Sequence, residues 1–271
     1  MGTYKISSLY IYPIKSLGGI SLKEATVQER GLQYDRRWML VDEKGGFLSQ
    51  RKFAQMALLQ VHLQHDGLLV AHKHNVLRPL FIPFDAPQEK EITVTVWDDT
   101  FTAKEVDGIT SEWFTKALGM PARLVYMPES SRRHVDPDYA FAEEVVSFAD
   151  AYPFLLIGQE ALNNLNAKLD APVPMNRFRP NIVFTGGQPH EEDTWETFTI
   201  GEVQFRAAKP CARCVLTTVD QQTGIKGAEP LKTLATYRTQ NNKVLFGQNL
   251  VHTGKGTIAI GDEITVAAWK K

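Results

Sequence analysis

Sixteen residues, EITVTVWDDTFTAKEV (91–106), constrain the fold more than any other stretch of this sequence. Apolar and polar residues alternate on both sides of Asp98-Asp99, the period of a half-buried strand and not of a helix. The design recurs elsewhere. KISSLYIYPI runs into a turn at Gly18-Gly19, RRWMLVD and GFLSQR flank Lys44-Gly45-Gly46, and LLQVHLQ and LLVAH flank a two-residue Asp66-Gly67 turn. A chain patterned in this way folds as short strands joined by tight turns.

Helical signals are confined to short segments. Residues 107–119, DGITSEWFTKALG, carry Trp113, Phe114 and Leu118 as apolar residues, with Gly119 as the stop. QEALNNLNAKL places Ala161, Leu162, Leu165 and Leu169 on an inner face, and EPLKTLATYR opens on a proline suited to a first helical turn. YPFLLIG, RPNIVF, FTIGEVQFRA, CVLTTVD, VLFGQNLV and GTIAIGDEITVAAW read as strands. The polar, charge-mixed stretch at 128–144 is too long for a simple connector. The expected class is therefore mixed α+β and β-rich, with barrel-like sheets and a domain boundary near residues 120–145.

Composition excludes several functions. A net charge of −1 argues against a nucleic-acid binder that works by neutralising many phosphates. No run approaches the ~20 apolar residues of a membrane helix. The start, MGTYKISSLYIYPIKS, lacks the pattern of a signal peptide, so a cytoplasmic protein with reduced thiols is expected.

Both cysteines fall in KPCARCVLTTVD (209–220). A structural zinc site needs four ligands, and there is no second Cys pair; His62, His65, His72 and His74 lie far off in the N-terminal strands. An all-cysteine iron–sulfur cluster is excluded by count. A redox dithiol favours a helix start, whereas VLTTV reads as a strand. A buried structural pair and a ligand for a soft metal both stay open. Basic and amide residues gather at YPIKS, DRRW, QR (50–51) and MNRFRPN, a set that suits an anionic ligand. No glycine-rich phosphate loop accompanies them.

YPIKSLGGI, RPNIVFTGG, EDTWETFTIGEVQFRAAKPCARCVLTTVDQQTG, EPLKTLATYR, LFGQNLV and GTIAIGDEITV together resemble the MOSC-domain family, named for the C-terminal region of molybdenum cofactor sulfurase. The resemblance spans nearly the whole chain and is greatest to the amidoxime-reducing molybdenum enzymes and their bacterial counterparts. It implies an N-terminal β-barrel domain (1–125) followed by a MOSC β-barrel domain (126–271) with a few short helices. It further implies a molybdenum cofactor, with Cys214 as the protein ligand to the metal and Asp150 close by as a proton donor or hydrogen-bond acceptor. Lys15, Ser16, Arg36, Arg179, Asn181, Arg213 and Asn249 match its cofactor-binding positions, and Cys211 is a neighbour without an assigned role. Ala151, Tyr152 and Ala212 depart from the pattern, standing where relatives carry hydroxylated residues.

The implied activity is reduction of N-hydroxylated small molecules: hydroxylamines, amidoximes or N-hydroxylated base analogues. With no iron–sulfur cluster of its own, the chain would draw electrons from a separate flavin or iron–sulfur protein. A sulfur carrier or transferase with a persulfide on Cys214, or a noncatalytic cofactor-binding module, stands as the alternative.

Overall fold

The computed structural model describes residues 3–74, 76–140 and 143–270; Phe141 and Ala142 of the polar stretch lie outside them. Seven strands close into a barrel. In spatial order they are Phe154–Gly158, Ile182–Thr185, Tyr4–Ile11, Glu263–Trp269, Trp195–Ile200, Val203–Ala212 and Lys243–Thr253, which pairs back onto Phe154–Gly158. Phe154–Gly158 and Ile182–Thr185 run parallel; the other pairs are antiparallel.

Alternation explains how one strand serves two cores. Phe154 and Leu156 point into the barrel with Leu9, Ile11, Phe184, Trp195, Phe198 and Phe205. Leu155 and Ile157 face the other way, onto Ala161, Leu162 and Leu165 of the helix Gln159–Asn166. A strand buried on both sides loses polar alternation and reads as the unbroken run FLLI.

The N-terminal residues form a four-stranded sheet (Trp38–Val41, Arg123–Tyr126, Asp99–Val106, Gln88–Val96) and a three-stranded one (Leu59–Leu63, Gly67–His72, Leu80–Pro83). They share a core of Trp38, Leu40, Leu59, Val61, Leu68 and Val70 with Phe114 and Leu118 of the helix Gly108–Leu118. Asp107 caps that helix by accepting from the Thr110 amide, and Gly119 ends it in the left-handed conformation. The opposite face of the four-stranded sheet buries Met39, Val94, Val125 and Met127 against Phe148, which fixes the loop carrying Asp150.

Three local expectations change. The hairpin at 96–99 turns on Trp97-Asp98, with Val96 paired to Asp99 and Trp97 at φ +56°. The hairpin at 63–68 turns on His65-Asp66, because the Gln64 amide donates to Gly67 O; Gly67 is needed instead where Ile82 O passes 2.4 Å from the position of an added Cβ. VLTT after Cys214 is a 3-10 turn, Val215–Thr218, and not a strand. The Thr217 and Thr218 hydroxyls donate to Cys214 O and Val215 O at 3.0 and 2.8 Å, giving the backbone a local alternative to a ladder.

Candidate functional site

A cavity of about 120 Å³ lies where the barrel meets the N-terminal sheets, and all nine residues singled out from the sequence line it. Lys15 and Ser16 follow the first barrel strand, with the Lys15 amide tied to Trp38 O at 2.8 Å. Arg36 precedes the strand Trp38–Val41, and its amide donates to Tyr12 O. Arg179 and Asn181 lie before Ile182–Thr185, Asp150 before Phe154–Gly158, Arg213 and Cys214 after Val203–Ala212, and Asn249 within Lys243–Thr253.

Ser16, Arg36 and Arg179 all have positive φ, at 67°, 51° and 56°. Backbone strain of this kind, of order 1 kcal/mol or more for each residue, persists only where the surroundings over-determine it. Tyr12 is one such determinant. Two guanidiniums lie over its ring, Arg36 at 4.6 Å and Arg179 at 4.1 Å, and its hydroxyl donates to Pro180 O. Gly19 leaves room for the ring, since an added Cβ would fall 2.4 Å from it. Arg36 also donates to Asp35 Oδ2 at 2.5 Å and to Asn181 Oδ1 at 3.3 Å. Arg179 donates to Leu17 O while its Nη2 finds no protein partner, and burial pulls its pKa down to about 10.

Each thiol is held by its own guanidinium. Arg213 Nη1 donates to Cys211 Sγ at 3.0 Å and its Nη2 to Phe178 O at 2.6 Å, leaving Nε buried and unpartnered. Arg51 Nε donates to Cys214 Sγ at 2.9 Å. Both cysteines are free and partly exposed. Cys214 stands at the start of the 3-10 turn, so its rigidity comes from that turn and from Arg51 rather than from a following strand.

Asp150 accepts from Lys15 Nζ at 2.6 Å, Arg51 Nη2 at 2.7 Å and Trp97 Nε1 at 3.3 Å. Burial alone would raise its pKa, but the Lys15 ammonium and the Arg51 guanidinium outweigh it and hold the carboxyl well below the usual carboxylate range. Its side chain is 52% exposed toward the cavity, so bound water or ligand competes for it. Of the two roles expected of Asp150, this arrangement favours the hydrogen-bond acceptor over the proton donor. For Lys15, burial prevails over the charge partner. Burial lowers its pKa to about 8, and the Asp150 carboxylate only partly restores it.

Sequence reasoning placed QR (50–51) among the basic clusters but left Arg51 out of the site, and it missed Trp97. The only signal for Arg51 was its place in that set of basic loop starts; Trp97 gave none. Five basic side chains (Lys15, Arg36, Arg51, Arg179, Arg213) line the cavity against a single carboxylate. Two guanidinium nitrogens of that lining are orphaned. This donor set fits an anionic organic group bearing a thiophilic metal. None of His62, His65, His72 and His74 lines the cavity.

Fold and cavity together define a β-barrel protein with a thiol set in an anion-accepting cleft. The chain belongs to the MOSC family: residues 143–265 match the MOSC domain and residues 3–121 the MOSC N-terminal beta barrel domain. It is similar to mitochondrial amidoxime-reducing component 1 of Homo sapiens, 30% identical across 96% of this chain and 82% of the relative. The Mus musculus protein of the same name is 32% identical across 96% and 81%. Molybdenum cofactor sulfurase of Oryza sativa subsp. japonica is 31% identical across 89% of this chain and 32% of its own length. Among the described residues, no helix is long and apolar enough to cross a membrane.

Proposed function

We propose that this protein is a molybdenum-cofactor oxidoreductase that reduces N-hydroxylated compounds with electrons from a separate protein. One observation carries the reading: Cys214 Sγ, bound by Arg51 Nε at 2.9 Å, opens on a cavity lined by five cations and one carboxylate. The names of the amidoxime-reducing relatives support the substrate class.

Cys214 would be the protein ligand to molybdenum. Lys15, Ser16, Arg36, Arg179, Asn181, Arg213 and Asn249 would hold the pterin and its phosphate, the orphaned Arg179 Nη2 and Arg213 Nε being free to donate. Bound there, the cofactor supplies two-electron chemistry that removes oxygen from an N–OH group and leaves the amine or amidine. The chain's own residues do the rest. Arg51 orients Sγ by donating to it from Nε. Lys15, with its pKa near 8, carries a proton at Nζ that is exchangeable near neutral pH, as the release of water requires. Asp150 keeps that ammonium and the Arg51 guanidinium in place.

The test is elemental analysis for molybdenum and zinc, with pterin detection, on wild type and Cys214→Ala from a cofactor-competent host. Near-stoichiometric molybdenum and pterin in wild type, with molybdenum lost from the variant, is the expected result. Full N-hydroxy reductase activity in Cys214→Ala would sink the ligand assignment. The second reading, a sulfur carrier, draws on the partly exposed Cys214 thiol beside Arg51 and on the sulfurase relative. A persulfide trapped on Cys214 in pterin-free protein would favour it.

A further inference from the structure

We infer that a second cavity, which has only Arg179 in common with the one at Cys214, is a binding site for hydrogen phosphate. The inference stands apart from the reductase reading and does not depend on it.

This cavity measures about 160 Å³, and segments from both halves of the chain meet around it. Tyr10 and Ser21 are directly opposed in the antiparallel pair Tyr4–Ile11 and Ile20–Leu22, so their side chains leave the same face. Gln60 comes from the strand Leu59–Leu63, Lys73 from just after Gly67–His72, and Asn176 from the 3-10 turn Met175–Arg177. Gly19, Ser21 and Gln222 are exposed, which gives a small solute a way in.

The lining is positive. Lys73 and Arg179 belong to it, and no carboxylate does among the described residues. Lys73 Nζ donates to Gln221 O at 2.7 Å and to Gln222 Oε1 at 2.5 Å, which uses two of the three donors of an ammonium. Burial lowers its pKa, and the carboxylate that acts on it, Asp220, is already bonded by Arg177 Nη2 at 3.0 Å. Arg179 is buried and donates to a neutral group, Leu17 O. Charges placed out of water without a charged partner favour an anion beside them.

Size and hydrogen bonding narrow the class. A cavity of about 150 Å³ holds a molecule the size of benzene. Phosphate fits such a space and a nucleotide does not. Asn176 Oδ1 is buried without a partner, and Gln60, whose Nε2 donates to Ala57 O at 2.9 Å, keeps Oε1 as a second acceptor. The occupant must therefore bring a donor as well as a charge. Hydrogen phosphate has oxygens for both cations and one O–H for an amide oxygen. Sulfate has the same charge and nearly the same size, but no O–H at neutral pH. Water would satisfy the amides and leave the cations as they are.

The experiment is calorimetric titration of the purified full chain with sodium phosphate, sodium sulfate and glycerol 3-phosphate. One phosphate per chain is expected at this site, with a dissociation constant below about 1 mM. Sulfate should bind at least about tenfold more weakly, for want of the donor. Lys73→Met should weaken phosphate by about tenfold or more. Ser21→Tyr, at an exposed position, should fill the mouth and abolish binding without touching the core. Lys15→Met, a change in the other cavity, should keep one phosphate with an affinity within about threefold of wild type. Added phosphate should raise Tm in wild type and Lys15→Met, and in neither of the other two variants. Absence of binding at about 10 mM phosphate would overturn the inference. So would equal or tighter binding of sulfate or glycerol 3-phosphate. Phosphate lost in Lys15→Met and kept in Lys73→Met would overturn it too, by placing the ion in the cavity at Cys214.

Discussion

Asp150 and Glu192 are two carboxylates in barrel-edge segments, held under opposite electrostatic conditions. Asp150 is half exposed and meets two cations, and it stays ionised far into acid. Glu192 is fully buried and meets none. Its Oε1 accepts from the Gly158 amide at 3.1 Å, its Oε2 is unpartnered, and burial pushes its pKa up to about 7. The cation nearby, Arg238, is taken by Asp193, which also accepts from Gln248 Nε2. A single amide donor or a cation already paired elsewhere does not offset burial; two cations bonded directly to the carboxylate do. One region concentrates charge for a ligand, and the other tolerates a carboxyl by keeping it near neutrality.

The most disruptive way to break this contrast is Lys15→Met, which strips Asp150 of a buried partner. Pterin content should fall at least tenfold, read by fluorescence of the released cofactor. Stability gives an independent check. The folded pKa of about 8 lies below the ordinary 10.5, so the folded state sheds the Lys15 proton first, and wild-type stability from this group rises between pH 8 and 10.5. The variant should lack that rise in a Tm-versus-pH series. Retained pterin would show that Lys15 serves the fold alone.

Glu192→Gln comes next. A folded pKa of about 7 above the ordinary 4.5 means that the folded state holds the proton longer, so stability is fully present below 4.5 and lost as pH climbs through 7. The amide cannot ionise. Relative to wild type, the variant should gain about 3 kcal/mol between pH 4.5 and pH 8 by urea denaturation. A constant difference across that range would mean that Glu192 is already ionised in the core.

The smallest effect is expected from Arg238→Lys. The charge beside Asp193 survives, but the Nε bond to Leu245 O at 3.1 Å is lost, for about 1 kcal/mol. The pH dependence assigned to Glu192 should not move. A shift in it would sharpen the comparison by showing that Arg238 reaches both carboxyls.

Much of this was legible in the sequence, for identifiable reasons. The alternation in EITVTV and the cap and stop of DGITSEWFTKALG are local signals, and the structure kept both elements. The set around Cys214 came from a family pattern, and its members converge although Lys15 and Asn249 stand at opposite ends of the chain. VLTT misled because two of its three β-branched residues are threonines, and Thr217 and Thr218 spent their hydroxyls on nearby carbonyls. Arg51 and Trp97 were beyond reach for another reason. Each meets Asp150 only because Phe148 packs under the N-terminal sheet, a contact across about 50 to 100 residues that no local pattern encodes.

The placement of Tyr4–Ile11 between Ile182–Thr185 and Glu263–Trp269 has a consequence for biosynthesis. A ribosome delivers the first strand early and its last neighbour roughly 250 residues later, on the order of tens of seconds at typical elongation rates. Until then the first strand has only Ile20–Leu22 and, later, Ile182–Thr185 beside it, and its other barrel edge stays open. The nascent chain holds an open strand edge and has no complete pocket to offer. The cavity at Cys214 is therefore complete only once Lys243–Thr253, which carries Asn249, has joined the barrel.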